Sequence, residues 1–330
     1  MKIWTRRTIL GLPVMLALTG MVLFLGLAGE LRAQTYPSRD ITFIVPYNPG
    51  GGTDPVARQF TSQLEKELHG NVNVENKPGG SGTIGAGVVV RAKPDGYTIG
   101  LGSNTILGFQ PLVVAGLAFK KPDDYQPIVK LMDQHVNLVV RADAPWKTFA
   151  EFMADVKKNP GKIRASVSGK YGQPDLVVQQ LNKTAGVKIT TVPFTGGVGE
   201  ALVALLGGRV EANIGTAAST LGQIQAGAIR ALAVFKKGKH ELFPTATPIG
   251  DTYDATIASA YYVIAPKGMP REALDKLVAA SLKVVRSPEY AKFCQPHGYV
   301  VDPKGPEALT AEIVQYQKTF TGLVKFLDIK

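Results

Sequence analysis

Two glycine-rich stretches carry groups that could bind an anion without a cationic side chain. The first, VPYNPGGGTDP at 45–55, places three glycines at 50–52 between a short apolar run and a helical pattern. The second, VPFTGG at 192–197, is similar to the first and lies later in the chain. Glycine adopts backbone angles that are closed to other residues, so such a loop can aim several N–H groups at one point beside a helix N-terminus. We therefore predict two anion-binding loops.

A carboxylate fits these loops better than a nucleotide phosphate does. No GK[ST] follows the glycines at 50–52, which excludes a P-loop, and their spacing does not supply the G-x-G-x-x-G of a dinucleotide site. A carboxylate is small and planar, and a few N–H and hydroxyl donors satisfy it. We expect Asp54 to be the N-cap of the following helix and Pro55 its first residue, because a carboxylate in the loop would repel an anionic ligand.

Small polar residues follow two other predicted strands. They are Ser103 and Asn104 after one strand, and Ser168 and Gly169 after another. Such residues occur in ordinary turns as well as in ligand contacts, so the sequence leaves both interpretations open.

The chain shows no catalytic or metal-binding pattern. Its histidines, at positions 69, 135, 240 and 297, are isolated, and neither H-E-x-x-H nor G-x-S-x-G occurs. His135 lies near the first predicted crossing between domains, where it could enter a cleft, although we favour a hinge or surface position. The lone Cys294 is expected to be a buried apolar residue. We predict a binding protein with no cofactor and no metal, not an enzyme.

Strand-like and helix-like runs alternate, which predicts an α/β fold with parallel sheets covered by helices. A first unit has predicted strands at 41–46, 72–75 and 97–101 and helices at 55–68 and 85–92. A second unit has predicted strands at 136–140, 163–167, 189–193, 210–214 and 229–235 and helices at 148–158, 175–184 and 199–206. A strand at 260–265 and helices at 271–285 and 306–327 complete the chain.

One unit inserted in the other, with a crossing out and a crossing back, predicts two lobes joined by a hinge. We expect lobe 1 to comprise 34–130 together with 236–330, and lobe 2 to comprise 131–235. Open parallel sheets bind ligands beyond the carboxyl ends of their strands, so we expect the ligand in the cleft between the lobes.

The first 33 residues have the pattern of an export signal. Basic residues at positions 2, 6 and 7 precede an apolar run at 9–27. Cleavage is expected after one of two small residues, Ala28 or Ala33. The pair Arg6 and Arg7 also fits a twin-arginine signal, and a retained membrane anchor is the alternative to cleavage.

The net charge of the chain is +11, and the part after residue 33 carries +8 because the signal holds four basic residues and one acidic residue. A basic exported protein suits an anionic solute. The lysines are scattered and no nucleic-acid recognition motif is present, so we expect no nucleic-acid partner.

Six stretches, taken in order, resemble the extracytoplasmic solute receptors of tripartite tricarboxylate transporters, often called Bug receptors. They are YPSRDITFIVPYNPGGGTDPVAR at 36–58, VENKPGGSGTIGA at 74–86, KPDGYTIGLGSN at 93–104, VPFTGGVGEALVALLGGRVEA at 192–212, GAIRALAVF at 227–235 and VIAPKGMP at 263–270. The resemblance covers nearly the whole chain after the signal. It implies a two-lobed periplasmic binding protein of type II, a Venus flytrap. Such a receptor captures a carboxylated solute and delivers it to integral-membrane permease subunits, and we expect it to be a monomer.

The resemblance also implies which residues hold the solute. In the family, the loops matching 47–54 and 194–197 grip a carboxylate, largely through main-chain donors and ordered water. Carried onto this sequence, the binding residues are Tyr47, Asn48, Gly51, Gly52, Thr53, Thr195 and Gly196. Neighbouring pocket loops add Ser103, Asn104, Ser168 and Gly169. The GGSGT stretch at 79–83 also matches a family signature, and we expect it to shape the lobe.

The sequence departs from the family pattern in two places. Many members have SGxGSxxH where this chain has SGKYGQPD at 168–175, so Lys170 or Tyr171 could enter the cleft and alter selectivity. Many members also carry an Asp after the strand matching 210–214, where this chain has GTAA at 215–218. An acid there would suit an ammonium group, so we favour a di- or tricarboxylate or an aromatic carboxylate over an amino acid.

Two other functions are compatible with the same sequence. One is a receptor that senses its ligand and signals to a membrane sensor kinase. The other, which we favour less, is a secreted enzyme on the same scaffold.

Overall fold

The computed structural model describes residues 36–329, so the predicted export signal lies outside the described residues. Among the helices of this range, none is both long enough and apolar enough to cross a bilayer.

The first sheet has five strands. Strand β1 (Ile41–Val45) pairs in parallel with β2 (Val72–Asn76) and with β3 (Thr98–Ser103). Strand β11 (Ser259–Pro266) is antiparallel to β3 and to β4 (Tyr125–Gln134), so the order is β2–β1–β3–β11–β4. Alternate residues of β1 enter two hydrophobic clusters, which shows that this sheet is buried on both faces.

Helices pack against both faces of this sheet. They are α1 (Asp54–Leu68), α2 (Thr83–Arg91), α8 (Arg271–Val285), α9 (Pro288–Cys294) and α10 (Pro306–Phe326). In α1 the residues Val56, Phe60 and Leu64 lie four positions apart and are fully buried. Cys294 is buried as predicted, and burial raises the pKa of its thiol to about 12.

The second sheet has six strands and its own helices. Strand β5 (Val136–Arg141) is antiparallel to β8 (Ala212–Thr216) and to β9 (Ile229–Val234). Strand β6 (Arg164–Val167) is parallel to β8 and to β7 (Thr190–Pro193), and a short β10 (Thr247–Pro248) pairs in parallel with β9. The order is therefore β10–β9–β5–β8–β6–β7. The helices of this lobe are α4 (Phe149–Lys158), α5 (Gln173–Ala185), α6 (Val198–Leu206) and α7 (Ala217–Gln225).

The chain passes from the first sheet to the second through a single residue. Strand β4 ends at Gln134 and β5 begins at Val136, with His135 between them. Strand β10 pairs with β9, so the return crossing follows residue 248 instead of residue 235. Because strands β5 to β10 all belong to the second sheet, we propose that lobe 2 spans about 135–258. The sequence had predicted 131–235.

The α/β class and the two-sheet architecture are confirmed, and the predicted strands and helices are present with small differences at their ends. Several elements were not predicted. Helix α7 was missed because its sequence, AASTLGQIQ, is small and polar, although Thr216 and Ser219 form a capping box at its start. A π-helical turn at Thr105–Phe109, the short helix α3 (Gln110–Val113) that follows it, and α9 were also missed.

A buried cation holds β4 against the C-terminal part of the chain. Lys130 Nζ lies 2.8 Å from Asp133 Oδ2, and 3.0 Å from both Asp302 Oδ2 and Glu312 Oε1. Burial alone would lower the pKa of Lys130, but the contacts with these acids raise it above its ordinary value. The ammonium therefore stays charged, and it compensates acids that the fold brings together.

Replacing this cation should destabilise the protein strongly. We expect Lys130→Met to lower the free energy of unfolding by about 3–5 kcal/mol at neutral pH, because Asp133 then loses its cation, and Asp302 and Glu312 keep only Lys304. Lys66→Met is the control, since Lys66 pairs with Glu289 at 3.6 Å on the surface and should cost less than about 1 kcal/mol. Urea unfolding of the three proteins measures both values. Equal small losses would mean that the buried cluster contributes no more than a surface pair.

Candidate functional site

A small cavity lies between the two lobes at the carboxyl ends of the parallel strands. Lobe 2 contributes Ser168, Gly172, Gln173, Pro174, Val198 and Thr216 to its wall. Lobe 1 contributes the loop residues Tyr47, Gly51, Gly52 and Thr53, the first residue of the π-helical turn, Thr105, and the strand residues Gln134, Ser259 and Tyr261. The cavity encloses about 20 Å³, roughly the space that one water molecule needs. The lobes are therefore close together in this arrangement.

Among the described residues, the wall contains hydroxyl, amide and backbone groups but no Asp, Glu, Lys, Arg or His side chain. Its positive potential comes from the backbone. Thr53, Gly172 and Thr216 are the N-caps of α1, α5 and α7, and Val198 is the first residue of α6. Each helix N-terminus carries a partial positive charge of roughly half a unit. Four of them, from both lobes, end at one cavity, which favours an anion there.

The first glycine loop keeps free donors at this point. Within residues 36–329, the N–H groups of Gly51, Gly52 and Thr53 donate to no other protein group. These residues all line the cavity. The loop therefore has the donors that its sequence predicted.

Three acidic side chains fix the conformation of the loops around the cavity by accepting hydrogen bonds from their backbone. Asp54 accepts from Gly50 N–H at 3.3 Å, Asp175 from Tyr171 N–H at 2.7 Å, and Glu200 from Gly196 N–H at 2.8 Å. In each case the acid stands four residues after the N–H that it binds, in the first turn of α1, α5 or α6. These carboxylates satisfy the outer N–H groups of each loop, so they shape the loops without lining the cavity.

Asp54 has a structural role, as predicted, but it is not the N-cap. Thr53 holds that position, and Asp54 lies in the first turn of α1. Its carboxylate also accepts from Arg58 Nε and Asn76 Nδ2, both at 2.9 Å. Burial alone would raise the pKa of Asp54, but these bonds lower it below its ordinary value.

The loop at 194–197 contacts the first glycine loop directly. Asn48 N–H donates to the Gly196 carbonyl at 3.1 Å across the two lobes. A Cβ on Gly196 would overlap with Asn48 Nδ2 and Glu200 Oε2, so a larger residue would have to displace both side chains. Neither Asn48, Thr195 nor Gly196 is part of the cavity wall. The second loop thus closes one side of the cleft, and the segment at 168–174 forms more of the wall than expected.

The other predicted site residues divide between the wall and its support. Ser168 lies in the wall. Ser103 Oγ is 3.1 Å from Thr105 Oγ1, and Asn104, which is fully buried, donates to the Ala258 carbonyl at 2.9 Å. Gly169 packs against Ser81. Ser103, Asn104 and Gly169 therefore position wall residues or the lobe contact.

The residues that could have changed selectivity lie outside the cavity wall. Lys170 Nζ lies over the Tyr171 ring, 4.8 Å from its centroid, and that ring packs against Phe109 at 5.8 Å. Ser81 Oγ donates to the Lys170 carbonyl at 2.7 Å, so the signature at 79–83 also joins the lobes. His135 lines a different cavity, beside Lys236, and burial lowers its pKa.

Sequence reasoning missed several wall residues. Gln134, Ser259 and Tyr261 come from the strands β4 and β11, which lie next to each other only because β11 returns to the first sheet. Thr216 and Val198 lie at helix starts in lobe 2. The four-residue spacing from an N–H to an acid, seen at Tyr171 and Asp175, was a signal that could have marked the segment at 168–174.

Comparison with known proteins agrees with this geometry. The family described as "Tripartite tricarboxylate transporter family receptor" matches residues 56–320. The chain belongs to this family. A relative, a UPF0065 protein of Bordetella pertussis, is 32% identical over 283 residues, covering 84% of this chain and 86% of the relative. The protein is thus a solute-binding receptor of the Bug type, and the family places it outside the cytoplasm.

Solved structures of similar receptors share the fold. The periplasmic binding protein BugD has a TM-score of 0.83 at 29% identity, over 89% of this chain and 99% of BugD. MatC (Rpa3494) from Rhodopseudomonas palustris with bound malate has a TM-score of 0.81 at 25% identity, over 88% and 100%. Rpa4515 of R. palustris with adipate has a TM-score of 0.84 at 25% identity, over 89% and 99%.

The loop-shaping role of Asp54 in this receptor predicts a pH-dependent effect. Because the folded-state pKa is lowered, the ionised carboxylate stabilises the fold above its unfolded pKa, and this contribution is lost as pH falls through the folded pKa. We expect Asp54→Asn to cost about 1–3 kcal/mol at pH 7 and progressively less toward pH 3. Urea unfolding across that pH range measures the difference.

Asp143→Asn is the control for this prediction. Asp143 binds Arg141 Nε and Nη2 at 2.9 and 2.8 Å, but on an exposed surface, so its replacement should cost less than about 1 kcal/mol. An Asp54→Asn loss that stays constant with pH would mean that the side chain acts through its shape alone.

Proposed function

We propose that this receptor captures a small carboxylate in the cavity between its lobes and delivers it to the membrane permease of a tripartite tricarboxylate-type transporter. The chain would act in the periplasm after export by its N-terminal signal.

The observation that carries this proposal is the convergence of four helix N-termini on a cavity that, within residues 36–329, has no charged side chain in its wall. Free N–H groups at 51–53 and hydroxyls from both lobes can satisfy the several lone pairs of a carboxylate. A buried anion is tolerated only when such donors surround it. An amino acid would also bury an ammonium group, for which the described part of the wall offers no acid.

The wall also favours binding over turnover. Its hydroxyl groups, on Ser168 and Ser259 among others, have no histidine, lysine or carboxylate beside them among the described wall residues to remove a proton. Activated nucleophiles depend on such a partner. The ligands of the two R. palustris receptors, malate and adipate, are dicarboxylates and support the same class of solute here.

Hydrogen bonds between the two lobes connect binding of the solute to closing of the cleft. Asn48 bonds Gly196, Ser81 bonds the Lys170 carbonyl, and Gln110 Nε2 donates to the Tyr171 carbonyl at 3.2 Å. A solute larger than a few atoms needs a wider separation of the lobes than this cavity allows. A permease that distinguishes this solute-bound separation from the closer separation of the empty lobes would then accept only loaded receptor.

A thermal-shift panel tests the solute class. Succinate, malate, adipate, citrate and benzoate should include at least one compound that stabilises the receptor, by roughly 2.7 kcal/mol at about a hundred times its dissociation constant. Inorganic phosphate and glutamate serve as comparisons and should give smaller shifts. A response to phosphate alone, or to no carboxylate, would refute the proposal.

A single added methyl group should separate binding from folding. A Cβ on Gly52 would lie 2.6 Å from Thr216 Oγ1 and 3.2 Å from Val198 Cγ2, both in the other lobe. We expect Gly52→Ala to keep its fold but to bind the best carboxylate of the panel at least about tenfold more weakly, because the added methyl group occupies space at the cavity wall between the lobes. Titration calorimetry measures the affinity.

Gly222→Ala is the matched control. Gly222 lies within α7 and outside the cavity wall, and its Cβ would meet no atom within 4 Å, so affinity should change little. If both variants bound as the wild-type receptor does, the space beside Gly52 would not be needed for binding.

A further inference from the structure

Tyr171 has a backbone conformation that a bulky residue rarely adopts. Its φ is 59°, in the left-handed region that favours glycine. The Asp175 carboxylate accepts from its N–H at 2.7 Å and so holds this conformation against the start of α5. Strain that the surrounding structure maintains is concentrated at functional positions. The contacts that this conformation gives Tyr171 are therefore candidates for a function.

Tyr171 contacts the other lobe with both its ring and its backbone. The ring packs against the Phe109 ring of lobe 1, with the two centroids 5.8 Å apart. The carbonyl of Tyr171 accepts from Gln110 Nε2, also of lobe 1, at 3.2 Å. Leu176 of α5 packs in the same hydrophobic cluster as Phe109. We call the interaction of Tyr171 with Phe109 and Gln110 the Tyr171 contact.

The Tyr171 contact lies beside the solute cavity and joins two segments of its wall. Tyr171 directly precedes residues 172–174, which line the cavity from lobe 2. Phe109 ends the π-helical turn whose first residue, Thr105, lines the cavity from lobe 1. The distance between these two wall segments is therefore tied to the distance across the Tyr171 contact.

A small increase in lobe separation is enough to break this contact. Aromatic pairs attract each other at centroid distances up to roughly 7 Å, so the pair of Tyr171 and Phe109 tolerates about 1 Å of further separation. The hydrogen bond from Gln110 is already at the long end of the normal range. Because the cavity encloses only about 20 Å³, a longer solute must hold the lobes farther apart than a shorter one does.

We propose that Tyr171 is a specificity-determining residue that acts from outside the cavity wall, because its contact with lobe 1 makes the receptor favour short carboxylates over long ones. The inference rests on the proposed function and adds solute length to it. A receptor without solute can keep the Tyr171 contact, and so can one that holds a short solute. A long solute has to break the contact, and its affinity is lower by that amount.

A series of dicarboxylates that differ only in length tests this selection by titration calorimetry. Malonate, succinate, glutarate and adipate add one methylene group at a time between the same charged ends. For the wild-type receptor we expect affinity to fall along the series, by at least about tenfold from malonate to adipate.

Tyr171→Gly removes the ring and the backbone strain together. We expect it to raise the affinity for adipate relative to malonate at least about tenfold, because a long solute no longer has the ring contact to break. A residue that only supports the fold would not improve binding when its side chain is removed. Tyr171→Asn should act in the same way, since Asn also tolerates a positive φ, and it provides the test if the glycine variant does not fold.

Two controls separate the ring contact from other effects of the substitution. Tyr171→Phe keeps the ring and removes a hydroxyl that, within residues 36–329, forms no hydrogen bond. His69→Gly relieves the same kind of strain, at a φ of 53°, on an exposed residue at the end of α1 and outside the cavity wall. Both variants should keep the wild-type ratio of malonate to adipate affinity. A shift in either one as large as that of Tyr171→Gly would overturn the role of the ring contact.

The possible failures are distinguishable from one another. If wild-type affinity does not fall with length, or if Tyr171→Gly changes all four affinities by the same factor, the selection of length is overturned and the carboxylate function stands. The same conclusion holds if none of the four binds but another carboxylate of the thermal-shift panel does. If no carboxylate binds, the proposed function and the role of Tyr171 are both overturned.

Discussion

The site depends on holding an anion away from water without any cationic side chain. Within residues 36–329, the polar groups of the wall are backbone N–H groups and neutral hydroxyls and amides. The positive potential must therefore come from helix N-termini. Strand-to-helix connections meet this requirement on both sheets. Each of the parallel strands β1, β6 and β7 leads, at its carboxyl end, into a helix whose N-terminus lies at the cavity or beside it. Facing the two sheet edges toward each other then brings donors from both lobes to one point.

The same constraint explains where the acids stand. Asp54, Asp175 and Glu200 each bind an N–H group four residues earlier, and none of them lines the cavity. A loop rich in N–H groups has more donors than one carboxylate ligand can use. Giving the outer donors to an acid of the same helix fixes the loop, and the inner donors at 51–53 remain for the solute. The acids fix the shape of the loops, and the backbone N–H groups bind the solute.

Much of this arrangement follows from local sequence, and the remainder follows from tertiary pairing. The strand and helix pattern, the first glycine loop and Ser168 could be predicted because each depends on residues close in the chain. Gln134 and Tyr261 could not, because they meet only when β11 returns antiparallel beside β4. The loop at 194–197 resembles an anion nest in sequence, but the structure gives its Gly196 N–H to Glu200 and its carbonyl to Asn48. Local pattern identifies available donors, and only the fold decides which of them remain free.

Three consecutive residues show how closely binding and architecture are joined. Asp133 belongs to the buried ion cluster around Lys130, Gln134 lines the cavity, and His135 is the crossing between the sheets. The ion cluster and the antiparallel pairing with β11 hold β4 rigidly within lobe 1 up to its last residue. A rotation of the lobes about the crossing therefore leaves Gln134 fixed relative to the first glycine loop. Lobe 1 can then present a preformed half of the site, and lobe 2 completes it when α5, α6 and α7 bring their N-termini into place.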